Sequence, residues 1–160
     1  MDYKVTSNSV EYTHEIGKQL GRCLQGGDVI ALIGDLGAGK TAFAQGVGEG
    51  LGVASPMASP TFTLIHEYKG QRDGTEIRLI HMDLYRLRHP EEAEVIGIAD
   101  TFTEDAVCII EWPEIAEDYL PDDRLTVGIL GSGEMTREIV FQSKDSGWEK
   151  RLDFLSGEAE

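Results

Sequence analysis

Cysteine is nearly missing from this chain, with two in 160 residues, Cys23 and Cys108. That is too few, and too scattered, for a disulfide framework or a cysteine zinc cluster, so both are expected to be reduced and simply packed. Basic residues are also scarce. Lys and Arg number 14 against 29 Asp and Glu, a formal charge of −15, and a field of that sign repels nucleic-acid backbones. Direct grip on nucleic acid is therefore not expected, whereas a basic protein, or a protein that itself holds RNA, remains compatible. No apolar run approaches the ~18 residues of a membrane span. Met1-Asp2-Tyr3-Lys4-Val5 carries no basic segment leading into an apolar stretch, so a soluble, cytoplasmic protein is expected. With no internal repeat and no low-complexity segment, the 160 residues, 41% of them hydrophobic, are expected to form a single domain over 1–160.

Local patterns place the elements. Tyr3-Lys4-Val5 suits an edge strand. Ser9 then caps a helix whose Val10, Thr13, Ile16, Leu20 and Leu24 recur at helical spacing, ended by Gly26-Gly27. Val29 to Ile33 is a short apolar run, and the helix after it continues through Ala42-Phe43-Ala44-Gln45-Gly46-Val47 to a stop at Gly52. Gly46, Gly48 and Gly50 each weaken that helix by up to ~1 kcal/mol relative to alanine, so packing must hold it, with the glycines marking close approach of another element. Thr61 to Tyr68 and Glu76 to Asp83 form the arms of an expected hairpin with an exposed tip at Lys69 to Thr75. Pro90 opens a short helix with Glu91 and Glu92 at its positive end. Val107-Cys108-Ile109-Ile110 has the continuous apolar character of a strand covered on both faces, and Pro113 halts it. Arg124 to Leu130 and Thr136 to Phe141 flank Gly131-Ser132-Gly133-Glu134 as a second hairpin, followed by a short helix from Trp148 to Leu155. Behind the G-x-x-x-x-G-K-[ST] phosphate loop at residues 34–41, this alternation implies the fold class: α/β, a three-layer P-loop NTPase-like fold with a mostly parallel central sheet and antiparallel hairpin additions.

The densest chemical signal is Gly34-Asp35-Leu36-Gly37-Ala38-Gly39-Lys40-Thr41, a complete G-x-x-x-x-G-K-[ST] phosphate-binding loop between a buried strand and a helix. Its glycines let successive backbone N–H groups point inward, and the following helix, entered at Ala42, adds its positive end. Lys40 then reaches the β- and γ-phosphates, and the Thr41 hydroxyl ligates Mg²⁺. Hydrolysis or transfer also needs a carboxylate for the metal and a group that positions the attacking atom. Asp83 and Glu111 each end an apolar strand, where open α/β sheets place their ligands. Asp83 suits a second Mg²⁺ anchor, directly or through water. Glu111 suits either the metal shell or the orientation of a water for attack on the γ-phosphate. Thr61 follows the proline-broken loop Ser55 to Pro60 and either engages the γ-phosphate or simply starts a strand. His81 alternates with Asp83 but is more ordinarily a packed or exposed histidine. Trp112 either covers the site edge, presents a partner surface, or packs in the core. Arg86 and Arg88 are the nearest bases downstream; either could neutralise transition-state charge, and surface ion pairs are the more ordinary expectation.

The phosphate loop, Ser59-Pro60-Thr61-Phe62-Thr63-Leu64, His81-Met82-Asp83-Leu84-Tyr85-Arg86-Leu87 and Ile110-Glu111-Trp112-Pro113 occur in an order and spacing that resemble the TsaE family of small bacterial P-loop ATPases. The resemblance implies ATP and Mg²⁺ as cofactors and a slow ATPase modulated by its partners, TsaB and TsaD. With them it would form the threonylcarbamoyl group on the adenosine next to the tRNA anticodon, ATP hydrolysis resetting the complex between cycles. It carries Lys40 over as a phosphate holder, Thr41 and Glu111 as Mg²⁺ ligands, Asp83 as catalytic support, and Ser59-Pro60-Thr61 as part of a moving segment. The acidic charge agrees with docking on a TsaB–TsaD complex, with tRNA met only indirectly. Two other classes use the same loop. A small-molecule kinase usually closes several arginines over the phosphates, and they are sparse here; a non-catalytic nucleotide-gated adaptor scarcely needs two strand-end acids.

Overall fold

Strand alternation organises the molecule into two packed faces on one sheet. The computed structural model describes residues 2–35, 39–54, 65–131 and 135–155. In chain order the elements are β1 (Asp2–Ser7), α1 (Val10–Cys23), β2 (Val29–Ile33), α2 (Lys40–Gly50), β3 (Ile65–Arg72), β4 (Thr75–Asp83), α3 (Pro90–Val95), β5 (Ala106–Glu111), β6 (Leu125–Gly131), β7 (Arg137–Gln142) and α4 (Gly147–Arg151), with 3₁₀ turns at Ile98–Thr101 and Pro113–Tyr119. The seven-stranded sheet has the order β1-β7-β6-β2-β5-β4-β3. β2 runs parallel to both β5 and β6, and β4 parallel to β5. β1, β7 and β3 add antiparallel pairings at the flanks. The expected parallel centre with antiparallel additions is what forms, and β1 is an edge strand.

On one face, Ile30 and Leu32 of β2, Leu79 of β4, and Val107 and Ile109 of β5 pack with Ile16, Leu20, Phe43 and Val47 from α1 and α2. On the other, Val29, Ile80, Met82, Cys108 and Ile110 pack with Ala93 of α3 and with Ile98, Ala116 and Leu120. Successive residues of a strand point to opposite faces, so β5, buried along its whole length, must be apolar on both.

α1 and α2 touch through glycine. A Cβ built on Gly46 would stand 2.1 Å from the His14 carbonyl oxygen, and one on Gly50 would stand 2.2 Å from that of Lys18. Gly46 and Gly50 therefore mark the close approach that the sequence suggested. Ser9 caps α1 as expected, its hydroxyl accepting from the Tyr12 N–H at 3.0 Å. At the other end, α1 stops at Cys23, ahead of Gly26-Gly27. Its last carbonyls accept from arginines far along the chain: Arg72 bonds the Gly21 and Arg22 oxygens, and Arg151 the Cys23 oxygen at 2.9 Å. Helix ends leave carbonyls without intrahelical partners, and these guanidinium groups supply donors for them.

Some local expectations need correction. Val10 lies on the exposed side of α1, because the apolar stripe of that helix begins at Thr13. The first hairpin is tighter than expected: β3 and β4 pair up to Arg72 and Thr75, and the turn is Asp73-Gly74 with φ of 52° and 80°. That left-handed pair matches the right-handed twist of the strands it joins. α4 spans Gly147–Arg151, short of Leu155, although Leu152 and Leu155 still reach the core. Both cysteines are free, Cys108 buried and Cys23 half-exposed. Burial pushes the Cys108 thiol up to about 11. Among the described residues no helix is long and apolar enough to cross a membrane. Leu36, Gly37 and Ala38 of the phosphate loop, the Ser55 to Leu64 segment with Thr61, and the tip Ser132-Gly133-Glu134 lie outside the described residues.

Candidate active site at the strand tips

Strand alternation and register bring the site together. His81 and Asp83 fall on the same face of β4 as Leu79, and Glu111 on the same face of β5 as Ile109. In the parallel β4–β5 ladder Asp83 lies directly across from Glu111, and in the β2–β5 ladder Glu111 lies across from Leu32. α2 starts next to that end of the sheet, at Lys40, after Gly39 with φ of 104°. A Cβ at Gly39 would meet nothing nearer than 3.7 Å, so glycine is needed there for its left-handed backbone and not for space.

Lys40, Glu111 and His81 are 5%, 5% and 2% exposed. Charged side chains are rarely so buried unless paired. Lys40 Nζ lies 3.8 Å from Glu111 Oε1, and His81 Nε2 lies 2.6 Å from Glu111 Oε2. With Glu111 ionised, the His81 Nε2–H donates to it, a short charge-assisted bond. Lys40 is less well served. At 3.8 Å its ion pair is too long for a hydrogen bond, and its ammonium finds no acceptor among the described residues. It sits 4.2 Å from the centroid of the Trp112 ring. A buried ammonium with unsatisfied donors is costly unless an acceptor arrives. Phosphate oxygens at the end of this loop would be such acceptors, so Lys40 fits a phosphate group.

Asp83 is half-buried, and its Oδ1 accepts from the Tyr85 N–H at 2.9 Å, closing the turn after β4. Desolvation, reinforced by the Glu111 charge, holds its carboxyl above the usual carboxylate range against the pull of the Tyr85 N–H, Lys40 and His81. Trp112 adopts φ 55° as β5 ends, and its ring packs against Tyr85 at a tilt of 53°, with centroids 5.0 Å apart. Trp112 is half-buried and belongs to neither core cluster, so it is not a simple core residue. Thr41 is exposed in the first turn of α2, with Ala42 behind it. Gly34 and Asp35 leave the end of β2. Arg86 and Arg88 are exposed, and neither forms an ion pair among the described residues; the Arg88 backbone N–H instead bonds Glu92.

Among the described residues no group of three or more His, Cys, Asp or Glu side chains is arranged to hold a metal. The donors present, a threonine hydroxyl and one or two carboxylates, suit Mg²⁺, which is usually bound through so few protein ligands together with substrate phosphates. His81 is packed, as is ordinary for a histidine, and shares the face of Asp83 through strand alternation; its bond to Glu111 had no signal in the sequence.

A family model described as "Threonylcarbamoyl adenosine biosynthesis protein TsaE" matches residues 7–139. The tRNA threonylcarbamoyladenosine biosynthesis protein TsaE of Bacillus subtilis is 41% identical over 146 residues, covering 91% of this chain and 89% of that protein. Its counterpart of the same name in Treponema pallidum is 38% identical over 137 residues, covering 86% and 98%. The crystal structure of Bacillus subtilis YdiB superposes with a TM-score of 0.78 at 34% identity, over 100% of this chain and 97% of that one. With a family match spanning residues 7–139 and relatives aligned along most of their length, this chain belongs to the TsaE family.

Proposed function

We propose that this chain is a P-loop ATPase acting with TsaB and TsaD in the formation of the threonylcarbamoyl group on the adenosine next to the tRNA anticodon, its ATP hydrolysis resetting the complex between cycles. The observation that carries the ATPase reading is Lys40: a buried ammonium at the end of a phosphate loop, short of acceptors and beside a strand-tip carboxylate. The names of the relatives support the place in tRNA modification. The charge of −15 supports docking on proteins in preference to gripping tRNA.

Magnesium, when bound, would neutralise charge on the β- and γ-phosphate oxygens. Thr41, with Asp83 or Glu111, would hold it. Lys40 turns from Glu111 and Trp112 to the phosphates, where its donors are satisfied. The backbone N–H groups at the start of α2 orient the same oxygens. Glu111 Oε1, the oxygen not engaged by His81, orients a water and accepts its proton as the water's oxygen bonds the γ-phosphorus and the bond to the bridging oxygen breaks. The products are ADP and inorganic phosphate. Trp112 and Tyr85 shield this edge of the site from bulk water.

The test is phosphate release and tRNA modification over repeated cycles with TsaB, TsaD and tRNA, using ATP or a non-hydrolysable analogue. ATP should sustain many cycles and the analogue few, and Lys40→Ala should abolish phosphate release. Equal multi-cycle yield with both nucleotides would overturn the resetting role, and full release by Lys40→Ala would overturn the site.

A further inference from the structure

Resting on the ATPase reading above, we infer that His81 is a positioning residue that fixes the rotation of the Glu111 carboxylate, holding Oε2 back in the fold so that Oε1 faces Lys40 and the phosphate side of the site. The last torsion of a glutamate is broad, so burial alone does not fix which carboxylate oxygen faces which neighbour. A carboxylate that must place a water needs one orientation, and preorganisation of that kind comes from neighbours that hold the group. His81 provides the hold. Its Nε2 lies 2.6 Å from Glu111 Oε2, while Oε1 stays 3.8 Å from Lys40 Nζ. Among the described residues no other side chain hydrogen-bonds the Glu111 carboxylate, and the second ring nitrogen of His81, Nδ1, has no partner. The hydrogen-bonding capacity of the ring is therefore directed at Glu111. The ring cannot swing aside, because it is 2% exposed inside β4, on the strand paired to β5. A histidine kept only to fill space would tolerate a leucine, whereas one kept for its Nε2 donor would not.

Three variants separate these roles: His81→Leu removes the donor, His81→Gln keeps an N–H near the position of Nε2, and His81→Asn places one near Nδ1. Each is assayed for phosphate release with the partner complex, for KM toward ATP, and for thermal unfolding. His81→Leu should lower kcat about 10- to 100-fold, as loss of an orienting partner typically does, with KM little changed. His81→Gln should recover most of that loss and His81→Asn little of it. Wild-type kcat in His81→Leu, equal recovery by Gln and Asn, or a loss carried wholly in KM would each overturn the role. If His81→Leu fails to fold, the Gln and Asn pair still decides by the same criterion. Phosphate release by neither wild type nor variants would instead overturn the ATPase reading and this role with it.

Discussion

β4 and β5 end differently on their two faces. Toward α3 and the 3₁₀ turns they finish in Met82 and Ile110, with Leu84 just past β4, all fully buried and apolar. Toward α1 and α2 the same strands finish in His81, Asp83 and Glu111, with Lys40 closing over them. The two regions have the same backbone and ladders and differ by a single step along each strand. The lesson is that alternation allows one pair of strands to anchor a core and build a site without compromise, because side chains on opposite faces do not compete for space. The apolar face stabilises by burial, while the polar face spends stability on charges that satisfy one another incompletely, as the acceptor-poor Lys40 shows.

Neighbouring substitutions at the β5 tip should break the comparison most clearly. Glu111→Gln keeps the shape of the side chain and should lower phosphate release about a hundredfold or more, with little change in melting temperature. Ile110→Ala, one residue earlier on the opposite face, should do the reverse: about 2–5 kcal/mol of stability lost in urea unfolding, with turnover of the folded protein near that of wild type. A catalytic defect in Ile110→Ala as large as that of Glu111→Gln would mean that the faces are coupled. A smaller effect is expected where the site face meets its helices. Gly46→Ala forces a Cβ against the His14 carbonyl oxygen, and separating α1 from α2 should cost about 1–3 kcal/mol, seen as a lowered urea midpoint. An unchanged midpoint would show that the helices can part freely.

The smallest effect concerns pH. Burial raises the Asp83 carboxyl, so ionisation is harder in the folded protein than in the unfolded chain. The contribution of Asp83 to stability is then full below the usual carboxylate range and is lost as pH rises through its raised folded value. Asparagine does not titrate. The stability of wild type minus that of Asp83→Asn should therefore fall as pH rises from the usual carboxylate range through the raised folded value, measured by unfolding at each pH. A difference that grows across that range would place Asp83 in an environment that favours its charge.

Much of the architecture was legible because it depends on neighbours in the chain. Val29 to Ile33 is apolar throughout and forms the central strand, and Ser9 is followed by helical spacing and caps α1. The hairpin tip was placed too broadly because the β-rich arms looked separated by seven polar and small residues. The Asp73-Gly74 pair by itself carried the turn, and the ladder extends to its edges. Val10 was misassigned because it keeps the helical period of the apolar residues, while the sheet lies beneath the stripe that starts at Thr13. In the site, Lys40, Asp83 and Glu111 were identifiable from the loop motif and from acids at the ends of apolar runs. His81 could not be separated from an ordinary packed histidine, because its partner is 30 residues away.

The chain alone determined which segments bend, coil or extend, where the glycine-rich loop motif falls, and which carboxylates end the strands, since these follow from backbone freedom, capping and the periods of 2 and 3.6 residues. Tertiary structure alone decided that His81 grips Glu111, that Lys40 rests over Trp112, that glycines seat α1 on α2, and that Arg72 and Arg151 finish α1. Each of these joins residues from different elements, and strand order and register set such distances. No local pattern encodes them, because the order of strands is the outcome of packing the whole sheet between its helices.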